Sequence, residues 1–253
     1  MKFAPVISEK YDPASLSNYH LILAHEVVQN KEYCTYFKEL ADDHTIILDN
    51  GTVELGYTDI PMIRQALDNL QREVIVIAPD FLADTDKTLE ATKEFISTID
   101  LPENRVMIVP QGKTWSDWVD CFDEMFSFGG FDYVGIPRIS EDLPGGRSWL
   151  HQKARSIVRS KYGLNKRMTY HLLGIQHNLA ELDWSRHFTD IMGVDSSVPL
   201  KAASTGLECK DIVDFRKLTD DVEFSETIYK ETRARTIEMV NYVSWRHHVT
   251  KVS

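Results

Sequence analysis

An α/β fold, a (β/α)8 TIM barrel with a C-terminal helical tail, is the architecture this sequence predicts. Short apolar, β-branched runs recur eight times, stretches with helical spacing lie between most of them, and no Pro- or Gly-rich linker divides the chain. Eight is the strand number of that barrel. A doubly wound parallel sheet is the alternative arrangement of the same units.

In order, the runs are Phe3 to Ile7, His20 to Ala24, Thr45 to Leu48, Val74 to Ala78, Val106 to Val109, Tyr133 to Ile136, Met168 to Leu173 and Asp190 to Val194. Each is the length of a strand buried on both faces. Between them, Val28 to Leu40, Asp59 to Leu70, Asp86 to Ile99, Ser116 to Phe126 and Ser148 to Tyr162 carry apolar residues three and four apart. These predict amphipathic helices outside the sheet, with Asp86 and Thr114 as caps. The first connection, SEKYDPASLSNY, is too short and polar for an ordinary helix, so the first crossover is expected to be irregular.

After Pro199 the pattern changes. Residues 200–253 read as a helical extension of one domain spanning 1–253, with a long helix over roughly Asp221 to Arg246. Ile228, Thr232, Ile237, Val240 and Val243 make its packing stripe, which either closes the barrel or serves a homodimer.

The chain has 253 residues, 43% hydrophobic and 26% charged, enough for one sizeable core. No apolar run approaches the roughly 20 residues that span a bilayer, and MKFAPVISEKYD lacks the apolar stretch of a signal peptide, so a cytoplasmic protein without membrane partners is expected. Three cysteines, Cys34, Cys121 and Cys209, are odd in number and far apart, which writes neither a disulfide framework nor a zinc cluster into the spacing. A net charge of −11 argues against coating nucleic acid nonspecifically. Positive charge is concentrated locally in Arg138, Arg147, Lys153, Arg155, Arg159, Lys161, Lys166 and Arg167, which is either a phosphate-binding patch or a solvated helix face.

In a parallel barrel, the C-terminal strand ends and the loops after them form the active-site face. That rule places Asp49 (LDNG), Asp80 (APD), Gln111 (VPQG), Gly135 (VGIPR), Gly174 (HLLGI) and Asp195 (GVDSS) around one mouth. Taken singly, Asp49 and Asp195 also read as turn formers and Asp80 as a loop cap. Carboxylates crowded in one pocket are expected to raise one another's pKa values and suit either a divalent metal or acid, base and nucleophile roles. The nine histidines, His171 among them, are scattered without metal-ligand spacing and read mostly as surface or core residues.

These strand ends, from about Phe3 to Pro199, resemble the tRNA-guanine transglycosylase superfamily. ILDNG is similar to its Asp-Ser-Gly-Gly segment, APD to its base-binding Asp strand, IVPQG to its Val-Gln-Gly strand, VGIPR to its Gly-rich strand, YHLLGI to its Leu-Met-Gly-Val strand and MGVDSSVP to its nucleophile strand. The resemblance implies a pentosyltransferase in which Asp195 attacks the sugar C1′ carbon and Asp49 moves the proton to and from the bases. It also implies that Asp80, Gln111 and the Gly135 backbone grip the purine, with Leu173 and Gly174 completing the substrate side. Arg138, Arg147 and Lys153 are the residues expected to meet nucleic-acid phosphate, and Phe81, Tyr133 and Tyr170 are candidates to stack on a base.

The family's tRNA-acting members hold zinc with clustered cysteines and a histidine, whereas this chain has only Cys209 in that region, so no zinc or other cofactor is expected. That departure resembles the branch found in phages and bacterial genomic islands, which exchanges guanine in DNA for a free 7-deazaguanine such as 7-cyano-7-deazaguanine. DNA is therefore the expected polymer ahead of tRNA. The alternatives are a tRNA enzyme or a base-releasing glycosylase on the same barrel, a noncatalytic subunit that positions nucleic acid for a partner protein, and a metal-dependent barrel hydrolase.

Overall fold

The computed structural model describes residues 1–102, 105–129, 131–163, 165–175, 181–204 and 234–242. Eight strands run β1 (Lys2–Pro5), β2 (Tyr19–Leu23), β3 (Thr45–Asp49), β4 (Ile75–Ile77), β5 (Val106–Ile108), β6 (Tyr133–Pro137), β7 (Thr169–Leu173) and β8 (Ile191–Ser196). All ladders are parallel, in the order β1-β8-β7-β6-β5-β4-β3-β2, and β1 lies beside β2, so the sheet is a nearly closed barrel. Interleaved helices surround it, which is the (β/α)8 arrangement read from the eight apolar runs.

Alternation along each strand divides the apolar residues into two layers. Ala4, Tyr19, Leu21, Ile47, Ile75, Ile77, Met107 and Val109 fill the barrel interior. Their immediate neighbours Ile22, Ile46, Leu48, Val76 and Ile108 face outward into a larger core shared with the helices. Both faces are buried, which is why the strands read as continuous apolar runs. Each such side chain contributes about 1.5–3 kcal/mol on burial, set against the conformational entropy lost in ordering the chain.

The helices are α1 (Ala24–Gln29), α2 (Lys31–Lys38), α3 (Thr52–Leu55), α4 (Ile60–Leu70), α5 (Thr85–Thr98), α6 (Trp115–Ser127), α7 (Gly146–Tyr162), α8 (Glu181–Ser185) and α9 (Val198–Ser204). One helix expected over Val28 to Leu40 is in fact two. Asn30 adopts extended backbone and its side chain accepts from Tyr33 N, ending α1 and capping α2. The cap of α5 is Asp84, which accepts from Lys87 N, and Asp86 lies in the first turn instead. Thr114 does cap α6, in a reciprocal box with Asp117. The first crossover holds only two single-turn 3-10 segments, Glu9–Tyr11 and Pro13–Ser15, as its short polar sequence suggested.

Of the C-terminal extension, residues 234–242 form a helix whose Met239 and Val240 join the outer core and whose Ile237 is half-buried. Ile228, Thr232 and Val243 of the expected stripe lie outside the described residues, as does Cys209. No described helix is long and apolar enough to cross a membrane.

Candidate active site

The barrel places Asp49 at the last position of β3, Asp195 near the end of β8, and Asp80 and Gln111 just beyond β4 and β5. All four sit on the C-terminal side of the sheet, where the helix-leading loops begin. They belong to two hydrogen-bonded groups and one turn.

The first group joins three strand ends. Asn50 Nδ2 donates to Asp80 Oδ1 at 2.8 Å and to the Ala78 carbonyl at 2.9 Å, while Gln111 Nε2 donates to Asp80 Oδ2 at 2.6 Å. Gln111 Oε1 in turn accepts from Ala83 N at 3.2 Å, and its carbonyl accepts from Thr85 Oγ1 at 2.8 Å. Asn50 and Gln111 are buried, and Asp80 is 9% exposed. Burial raises the Asp80 carboxyl to about 6, and the two amide donors only partly oppose the rise. The cause is desolvation, not the mutual repulsion of carboxylates that crowding suggested.

The second group is built around Asp195. Its Oδ1 accepts from the Gly174 backbone N–H at 2.9 Å and lies 2.9 Å from His171 Nε2. His171 Nδ1 lies 2.5 Å from the Tyr19 hydroxyl. Tyr19 and His171 are fully buried and Asp195 is 8% exposed. Gly174 can present its N–H because it adopts φ +70, a left-handed conformation that strains other residues. Gly193 makes room for the phenol: a Cβ there would stand 2.5 Å from Tyr19 Cε1. Between β7 and β8 the pairing slips by one residue at Tyr170/His171, a bulge immediately beside this group.

Asp49 is half-buried, and its Oδ1 accepts from Gly51 N at 3.3 Å, so it does make the turn its Asp-Asn-Gly sequence suggests while standing at the mouth. Gly135 opens the inner wall of β6. A Cβ there would meet Leu173 Cδ1 at 2.8 Å and Val109 Cγ2 at 3.0 Å, so the half-buried Leu173 leans over the space the missing side chain leaves.

No protein-family model and no curated protein sequence matches this chain. What the site can do is therefore read from its own residues.

Arg147 departs from expectation. It is wholly buried, and its guanidinium donates to the carbonyls of Ile136 at 3.1 Å, Leu173 at 2.9 Å and Gly174 at 2.8 Å. A guanidinium spent on three carbonyls inside the fold has no face for phosphate. It ties the ends of β6 and β7 together and so holds the turn that offers Gly174 N–H to Asp195. Sequence cannot separate this arginine from its neighbours, because charge marks only residue type.

The basic stretch is dispersed in the same way. Arg155 pairs with Asp190, Lys161 with Asp123 and Lys166 with Asp132. Arg138 is exposed at the mouth, its stem beside Gly174, and Lys153 is half-buried two turns along α7. Tyr133 is the first residue of β6 and Tyr170 the second of β7, toward the opposite end of the barrel from the mouth, and Tyr170 packs edge-on against His151. Phe81 is half-buried in the loop after β4.

Three features of the site escaped sequence reading. His171 lies in the HLLGI strand end but reads as a surface or core histidine, Tyr19 at the start of β2 bears no motif, and Asn50 was legible only as part of a turn. Tyr57 after β3, Leu82 after β4, Trp115 at the start of α6 and Ile139 after β6 are exposed, and Trp115 packs edge-on against Trp149 at 5.2 Å. All four follow C-terminal strand ends in the chain.

Proposed function

We propose that the chain is a base-exchange transglycosylase that replaces guanine in DNA with a free 7-deazaguanine such as 7-cyano-7-deazaguanine. The observation that carries this reading is the carboxylate of Asp195, held by one oxygen at the mouth of the barrel, with a second, buried carboxylate, Asp80, braced by two carboxamides beyond β4 on the other side of the sheet. A fixed carboxylate with a remaining oxygen suits attack on a sugar carbon that develops positive charge. The braced Asp80–Asn50–Gln111 group suits a flat heterocycle whose N–H edge seeks acceptors and whose carbonyl seeks donors.

In this mechanism Asp195 bonds to C1′ as the C1′–N9 bond to guanine breaks, giving a glycosyl ester. Asp49 supplies the proton that the departing guanine takes up. The incoming base gives its N9 proton back to Asp49, its nitrogen bonds to C1′, and the ester bond breaks to release Asp195. Protons and electron pairs balance without a cofactor, and no step is routed through zinc. Exchange in place of hydrolysis requires water to be kept from the ester.

A base must leave the stack to reach such a mouth. Tyr57, Trp115, Leu82 and Ile139 offer the apolar surface on which unstacked bases rest, and Arg138 offers charge to the backbone. The deciding experiment incubates the protein with guanine-containing DNA or tRNA and radiolabelled guanine or 7-cyano-7-deazaguanine. Label entering DNA and lost with Asp195→Asn is the expected result. Label entering tRNA alone moves the polymer assignment, and label in neither polymer defeats the reading.

A further inference from the structure

The hydrogen bonds around Asp195 have a direction that can be worked out. A carboxylate oxygen only accepts, so His171 Nε2, 2.9 Å from Oδ1, must carry the ring proton. Nδ1 of a neutral ring is then a lone pair, and it must accept from the Tyr19 hydroxyl 2.5 Å away. Burial, with the charge of Asp195 adding to it, holds the Tyr19 phenol well above its ordinary pKa, so that proton stays in place. With the ring neutral, the chain therefore runs Tyr19 O–H to Nδ1 and Nε2–H to Oδ1.

We propose that His171 and Tyr19 are positioning residues that lock the Asp195 carboxylate by Oδ1 and leave Oδ2 as the attacking oxygen. The Gly174 N–H falls on the same oxygen, so both described donors occupy one side of the carboxylate. Fixing it removes a rotation that the attack would otherwise have to freeze. Tyr19 acts at one remove: its hydroxyl bonds the Nδ1 lone pair, so without it the ring keeps its Nε2–H toward Asp195 but loses the second bond that fixes its orientation. Gly193, which admits the Tyr19 ring, is part of the same device.

The attack role rests on the transglycosylase reading, so the test has two arms. Long-range proton–nitrogen correlation spectra of histidine-15N protein at neutral pH are expected to show His171 as the Nε2–H tautomer in the wild type, with the Nδ1 resonance moving toward that of an unbonded lone pair in Tyr19→Phe. An Nδ1–H tautomer or an imidazolium in the wild type overturns the lock whether or not the protein exchanges bases. In the exchange assay, His171→Ala is expected to lower kcat about 100-fold, the scale of a misplaced reacting group, with KM for the free base within about twofold. His171→Gln, which returns an N–H at a similar reach, is expected to recover most of that loss. Wild-type exchange with an unaltered kcat in His171→Ala keeps the transglycosylase and overturns the positioning role. Absence of exchange in the wild type defeats the reading and the attack role together, while the tautomer spectrum still decides the hydrogen-bond chain.

Discussion

At the scale of single residues, the two proposed reacting carboxylates differ in how they are held. Asp195 accepts from His171 on β7 and from the Gly174 N–H just beyond it, and Asp49 accepts from Gly51 N in its own turn. Asp195→Asn keeps the shape and both donors' neighbour, so it is expected to leave thermal unfolding nearly unchanged while reducing exchange about 1000-fold or more and abolishing the covalent adduct. Asp49→Asn is expected to bind polymer normally and to turn over about 100- to 10,000-fold more slowly, the usual worth of a proton-transfer group. An unchanged rate removes Asp49 from that role. Asp80 supplies a pH signature. Its carboxyl is raised from an ordinary 3.8 to about 6 in the folded chain, so folding favours the protonated form. Stability from this residue is present below about pH 4, is lost as pH rises to about 6, and stays lost above; the whole swing is about 3 kcal/mol at most. Between about pH 4 and 6 the unfolding free energy from urea titrations is expected to change more in wild type than in Asp80→Asn, by up to this amount. Ionised Asp80 is also the form that accepts from a base, so kcat/KM for the free base is expected to fall below about pH 6.

At the scale of elements, the functional turn after β7 is held from beneath. Arg147, in the first turn of α7, fastens the carbonyls that end β6 and β7, and the bulge between β7 and β8 sets where His171 and Asp195 come to face each other. Arg147→Met leaves three carbonyls without that donor, and buried unsatisfied acceptors cost about 1–3 kcal/mol each. The expected result is a loss of about 3 kcal/mol or more in urea unfolding. Arg138→Ala, by contrast, is expected to leave stability unchanged and to lower the salt dependence of polymer binding by about one unit of slope, as losing one phosphate contact does. A variant of Arg147 that folds normally yet loses salt dependence would reverse these two assignments. The cap of α6 is a simpler element: Thr114→Ala removes one arm of the box with Asp117 and is expected to cost about 1 kcal/mol.

At the scale of the whole molecule, the chain joins a net charge of −11 to exposed apolar residues, Tyr57, Leu82, Trp115 and Ile139, in the segments that follow β3 to β6. That balance favours stacking over phosphate neutralisation as the main source of polymer affinity. Single-stranded or mismatched DNA is accordingly expected to bind more tightly than intact duplex, with Trp115→Ala weakening it by about 1–3 kcal/mol, the usual cost of removing a stacking aromatic. Tight duplex binding with a steep salt slope would contradict this. The proposed chemistry passes through an ester on Asp195 and uses no ion, so chelator is expected to leave exchange unaltered, whereas a metal-dependent hydrolase on the same carboxylates would stop.

The amino-acid sequence by itself determined the barrel. Strands buried on both faces must be apolar throughout, so β1 to β8 stand out as runs, and the helices between them carry their own spacing and caps. Because active-site groups of a parallel barrel gather where strands end, Asp49, Asp80, Gln111 and Asp195 were legible as neighbours of one mouth. Tertiary structure alone decided what each touches. Tyr19 is 152 residues from His171, and His171 is 24 residues from Asp195, so no local pattern joins them. Arg147 carries the same charge as Arg138, and only the closing of α7 over β6 and β7 puts one in the core and leaves the other in solvent. Sequence records which groups can ionise or donate; which of them lose water is settled by the packing of distant segments, and that loss sets both their pKa values and their partners.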